Sequence, residues 1–148
     1  MSIAPTPRPA TVFGLAGLLP QTICLLLVAR GGPEGWFALA AACFYAAIIL
    51  SFLGGLWWMT ALLAGVRSGW IYALAVLPSL IGFAALLPWS VGWRWPHPSL
   101  VALGLTLLAS PLVDFYLDRH VSSPTGWLRL RAVMASGLGI LTLLIAAA

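Results

Sequence analysis

The residues best suited to chemistry are Thr106, Ser110, Asp114 and Asp118, each four positions after the one before. On a helix that spacing puts all four on one face. Asp114 stands inside an apolar run, about one turn from its end, and a carboxylate so placed needs a partner for its charge. Arg67, Arg119, Arg129 and Arg131 are in range, and Arg129 and Arg131 are the candidate ion-pair partners, because the loop after Asp118 returns them to the same level. The stripe has three readings: a structural pair that locks helices, a contact for a ligand or partner, and movement of a proton or ion.

The remaining reactive groups are thinly spread. His97 and His120 flank opposite ends of the stripe's segment, so they cannot ligate one metal together, and no residues complete a zinc site or a nucleophile triad. No catalytic residue, metal or resident cofactor is expected; a bound lipid, quinone or pigment stays open. Cys24 and Cys43 sit in apolar runs, where a free thiol acts as a small hydrophobe. Pro20, Pro78 and Pro111 each remove a backbone donor, which leaves the carbonyls of Ala16, Leu74 and Leu107 without their usual partners. Gln21, Thr22, Ser79 and Ser110 are the local side chains able to satisfy them, and the alternative use of such carbonyls is a shallow polar pocket at mid-membrane.

The elements that carry these residues follow from composition. Of 148 residues, 62% are hydrophobic and 7% charged, too few charges to coat a water-soluble globule of this size. Continuously apolar segments run over about 11–29, 36–63, 70–87, 99–117 and 130–148. About 20 residues cross a bilayer, so these predict an all-α, polytopic integral membrane protein: one domain, a bundle of five transmembrane helices. The second segment is long enough to be tilted, bent at Gly54-Gly55 or protruding. A closed barrel would instead show short segments of alternating polarity. The first segment is read as a retained span, since it exceeds the usual signal core, is interrupted by Pro20 and lacks a small-x-small cleavage site.

All seven basic residues are Arg, scattered between the apolar runs, so the net charge of +4 does not make a nucleic-acid face. Arg8, Arg67, Arg119, Arg129 and Arg131 fall on one side and Arg30 and Arg94 on the other. An arginine excess marks the cytoplasmic side, which predicts a multi-pass protein of a bacterial inner membrane with its N-terminus cytoplasmic and its C-terminus external. The eight tryptophans fall near span ends, Trp36, Trp89, Trp93 and Trp95 outside and Trp57, Trp58, Trp70 and Trp127 inside, as a headgroup-level belt would have them. Small residues four apart, from Ser51 to Gly55 beside Gly54, from Ala132 to Ser136 and from Ala135 to Gly139, mark faces for close helix packing.

The run YAAIILSFLGGLWW at 45–58, Pro78-Ser79-Leu80, Asp118-Arg119 and Trp127-Leu128-Arg129-Leu130-Arg131 together resemble the bacterial membrane family known as domain of unknown function 3429, which itself resembles the mitochondrial transmembrane protein 69. The chain departs from that pattern at Trp57, where a His or other polar residue would be expected, and at Met59, where a small one would. The resemblance implies a polytopic helical membrane protein and no particular activity. Three functions are therefore carried forward: a non-catalytic accessory subunit or assembly factor, whose partners are lipid and other membrane subunits or a second copy of the chain; a small carrier or channel using the Asp114 stripe; and a binder or enzyme for a quinone, isoprenoid or pigment. The carrier reading predicts a water-accessible cavity reaching Ser110.

Overall fold

The computed structural model describes residues 5–120 and 123–148. Five helical stretches are long and apolar enough to cross a membrane. The first is split into α1 (Arg8–Ala16) and α2 (Leu19–Ala29); α3 (Gly35–Leu63), α4 (Gly69–Ser90), α5 (His97–Asp118) and α6 (Trp127–Ala147) follow. The split falls at Gly17-Leu18 rather than at Pro20, because Pro20 opens α2 in the first turn, where its missing N–H has no partner to lose. Thr22 returns its hydroxyl to the Leu18 carbonyl at 2.9 Å, and the Tyr45 hydroxyl reaches across from α3 to the Gly17 carbonyl at 2.6 Å. Two other ends move outward from the expected spans: α4 runs past Pro88 to Ser90, and α6 begins at Trp127, directly after Gly126 takes a left-handed turn at φ 86°. α3 is one uninterrupted helix of 29 residues through Gly54-Gly55.

The bundle is two tight hairpins, α3 on α4 and α5 on α6, with α2 laid against α3 and α6. Glycines and alanines decide where the helices touch. A Cβ at Gly54 would be driven into the Ala75 carbonyl oxygen, and one at Gly82 would come 3.1 Å from that of Ala47, so α3 and α4 meet backbone to backbone at two levels. On the other hairpin Gly104 and Gly139 face each other: a Cβ on either would lie 3.2 or 3.0 Å from the other's carbonyl oxygen. With little hydrophobic drive between helices in lipid, such close approach supplies the dispersion contacts that hold them. Ala38, Ala42, Ala46 and Leu50, four apart on α3, are wholly buried and carry the central core. Phe13, Phe37, Ile48, Phe52, Phe83 and Leu112 point outward at 64–77% exposure, as a lipid-facing surface requires.

The small-residue faces expected from the sequence are only partly used inside the chain. Gly54, Ala135 and Gly139 are buried at contacts, but Ser51 and Gly55 lie on the outside of α3 and do not pack within the bundle; a Cβ at Gly55 would meet nothing within 4 Å. The reason is rotational: Gly54 faces α4, and the next residue along a helix points about 100° away. Near the first helix, the Thr6 amide and hydroxyl both donate to the Thr125 carbonyl, at 3.1 and 2.9 Å, which ties the segment before α1 to the loop before α6.

Candidate functional site

The site is built where α3, α5 and α6 come within side-chain reach of one another. Asp114 lies one turn inside the end of α5 and Arg131 one turn inside the start of α6, so the antiparallel hairpin sets them at one level. Arg131 Nη2 donates to both carboxylate oxygens, at 3.1 Å to Oδ1 and 3.0 Å to Oδ2. From α3, the Trp57 indole Nε1 donates to Oδ1 at 2.8 Å. All three residues are buried, Asp114 at 8% exposure, Trp57 at 5% and Arg131 at 2%. The carboxylate thus holds three hydrogen bonds, from one neutral and one cationic donor, and the two hairpins are joined through it. The Trp127 ring lies 6.0 Å from the centre of the guanidinium, within cation-π range.

Of the two candidate partners, Arg131 is the one brought to Asp114. Arg129 is exposed and borders an open groove with Thr6 and Thr125 on the outside of α6. The two positions differ by about 200° around a helix, so only one of them can face α5. Trp57 is turned inward onto the carboxylate, whereas Trp58 meets Tyr72 edge-on and Trp70 packs at a tilt against Tyr116.

The rest of the stripe is spent locally. Thr106 donates to the Ala102 carbonyl at 2.8 Å, and Ser110 to the Leu107 carbonyl at 2.8 Å, the one that Pro111 deprives of its helical donor. Asp118 is half-buried, and its Oδ1 has no partner among the described residues. It borders a cavity of about 40 Å³ with Thr60, Asp114, Ser123 and Trp127. A larger cleft of about 120 Å³ between α4 and α5 reaches Ser110 beside Trp57 and Pro78, but Leu74, Leu77, Ile81 and Val113 make its wall apolar.

A second polar cluster lies deeper. Gln21, which sequence reasoning set against the Ala16 carbonyl, instead points into the core at 0% exposure. Its Nε2 donates to the Thr142 hydroxyl at 2.7 Å and to the Ala42 carbonyl at 3.3 Å, while Thr142 donates onward to Leu138. Gln21 is the one side-chain amide of the chain, and its isolation in an apolar run was the available signal.

Cys24 and Cys43 are buried free thiols. His97 and His120 are both exposed, at opposite ends of α5, and His120 lies 3.3 Å from the Tyr116 carbonyl. Among the described residues there is no group of three or more His, Cys, Asp and Glu able to hold a metal.

Compared with known proteins, residues 6–148 match a family model described as "Protein of unknown function (DUF3429)". No curated protein and no solved structure matches the chain.

Proposed function

The chain belongs to the DUF3429 family, whose function is unknown, and from its own geometry we propose that it is a non-catalytic helical subunit or assembly factor of a membrane complex. The observation that carries this is the outer face of α3. Ser51 and Gly55 lie exposed there beside Ile48 and Phe52, with open space where a Gly55 side chain would be. In lipid, small residues four apart let two helices approach closely, as Gly54, the neighbour of Gly55, already does with α4. The occupant of this face is a helix of another membrane subunit or of a second copy of the chain. Support also comes from the engagement of Asp114: a carboxylate held by two donors joins helices, and the apolar wall of the cleft at Ser110 does not favour a carrier.

Gly55→Leu tests the proposal. The variant is expected to melt as the natural chain does in detergent, because its side chain enters empty space, yet to lose the stoichiometric partner or second copy that copurifies in mild detergent. A natural chain that purifies as a bare monomer, or an assembly that Gly55→Leu leaves intact, would sink it.

The same reading sets the chain in a bacterial inner membrane with a cytoplasmic N-terminus. Because Arg131 is neutralised inside the bundle by Asp114, it no longer counts as a loop charge. The balance becomes Arg8, Arg67, Arg119 and Arg129 against Arg30 and Arg94, still in the same direction. A periplasm-active reporter fused after Ala148 is expected to be active and one inserted in the Arg67 loop silent; the reverse pattern inverts the topology.

A further inference from the structure

α1 buries none of its residues and packs on α6. Thr6 bonds to Thr125 just before the two helices begin, and further along a Cβ on Gly14 would come 2.8 Å from Met134 Sδ, so α1 and α6 run side by side in one direction. A groove of about 350 Å³ opens between them. Because both helices start at the same end of the bundle, the groove has a polar end and an apolar end. Arg129, Thr11 and Thr125 stand at the first; one turn deeper on each helix, Leu15 and Val133 continue the wall at 40% and 50% exposure. Arg129 is exposed, no carboxylate lines the groove, and among the described residues the one ion pair is that of Arg131 with Asp114. The Thr6 hydroxyl is spent on the Thr125 carbonyl, whereas the hydroxyls of Thr11 and Thr125 have no hydrogen-bond partner among the described residues. α6 also begins without a side-chain cap, which sets the positive end of its dipole at this level.

We infer that this groove holds one anionic phospholipid, its phosphate accepting hydrogen bonds from Arg129 and the threonine hydroxyls and one acyl chain lying on Leu15 and Val133. A free anion would leave the apolar half bare, and an acyl chain alone would leave Arg129 without a counter-charge. A phospholipid carries both parts in the required order, phosphate at headgroup level and chain below it. A choline or ethanolamine head would bring its own cation to an end that has an arginine and no carboxylate, so the fitting head is one with net negative charge. The volume is at the lower end of ordinary ligand sites, about 300–1,000 Å³, which suits a headgroup and the top of one chain while the remainder stays in the bilayer. The bound lipid clasps α1 to α6. The inference is independent of whether the outer face of α3 joins a partner.

The test places the full chain in phosphatidylcholine nanodiscs with a small share of one photoactivatable lipid, either phosphatidylglycerol or phosphatidylcholine, each with its reactive group near the top of the acyl chain. The phosphatidylglycerol probe is expected to label segments 11–15 and 129–133 about fivefold more strongly than the phosphatidylcholine probe, the preference that one arginine gives an anionic lipid. Unlabelled phosphatidylglycerol is expected to displace it. Arg129→Gln is expected to abolish the preference and Arg129→Lys to keep most of it. Arg119→Gln removes an exposed charge at the same end of the bundle but outside the groove, and is expected to leave the preference unchanged. Val133→Trp is expected to lower labelling by filling the apolar end, and all these surface variants are expected to melt as the natural chain does. Equal labelling by the two probes, or equal losses in Arg129→Gln and Arg119→Gln, overturns the inference, because Arg129 then acts only as general surface charge. Displacement by inorganic phosphate as effective as that by the lipid gives the polar end to a free anion, and groove peptides crosslinked to a copurifying protein give it to a subunit; either result also overturns the inference.

Discussion

Asp114→Leu is expected to destabilise the bundle by about 3–5 kcal/mol, because it strands the Arg131 guanidinium in a buried site without its counter-charge. It also orphans the Trp57 indole N–H, which adds to the loss. Asp114→Asn is expected to be milder: its amide oxygen still accepts from Trp57 or Arg131, and only the charge goes uncompensated. The double variant Asp114→Leu with Arg131→Met is expected to recover most of the single variant's loss, since a buried pair contributes little net stability once both charges are gone. Unfolding in mixed detergent micelles, followed by far-ultraviolet circular dichroism, measures all three. Equal unfolding of Asn and Leu variants with the natural chain would remove the structural role and return the carboxylate to proton or ligand chemistry.

The second large effect comes from two adjacent glycines that obey opposite rules. On an open helix Gly→Ala gains up to about 1 kcal/mol, because alanine has less backbone freedom to lose. Gly55→Ala is expected to show that gain, or no change, as nothing stands near the new Cβ. Gly54→Ala is expected to lose about 1–3 kcal/mol, because its Cβ meets the Ala75 carbonyl, a backbone atom that cannot turn aside. α3 and α4 would have to part along the hairpin. The same unfolding measurement on the two variants decides the matter, and matching responses would mean that the close approach at Gly54 does not hold the hairpin.

The contrast shows where the sequence is readable. Five spans are legible because apolar runs of membrane length have no other stable use, and the structure has five such stretches. Which face of a span turns inward is much less legible. α3 is almost as apolar on one side as on another, so nothing in its pattern says that Gly54 and Trp57 face inward while Gly55 and Trp58 face out. The affinity of indole for headgroups places Trp57 near a span end but does not say that its ring turns inward onto a buried carboxylate. The Asp114 partnership was half legible: the short α5–α6 return limits the partners to Arg129 and Arg131, but helix rotation, absent from the sequence, selects Arg131. Gly82 and Gly104 escaped notice because neither belongs to a pair four apart; their use appears only when the carbonyl across from them is known.

The hydrogen bond between Gln21 and Thr142 spans 121 positions of the chain and bears on how the protein is made. Ribosomes deliver α2 to the membrane well before α6, so the Gln21 amide enters hydrocarbon with only the Ala42 carbonyl to receive one of its protons. A polar group left without partners in hydrocarbon costs several kcal/mol. Thr142 is the second acceptor for that amide, so the first span gains it only when the last helix arrives, and a chain cut short before α6 is expected to keep an unpaired amide proton in its core.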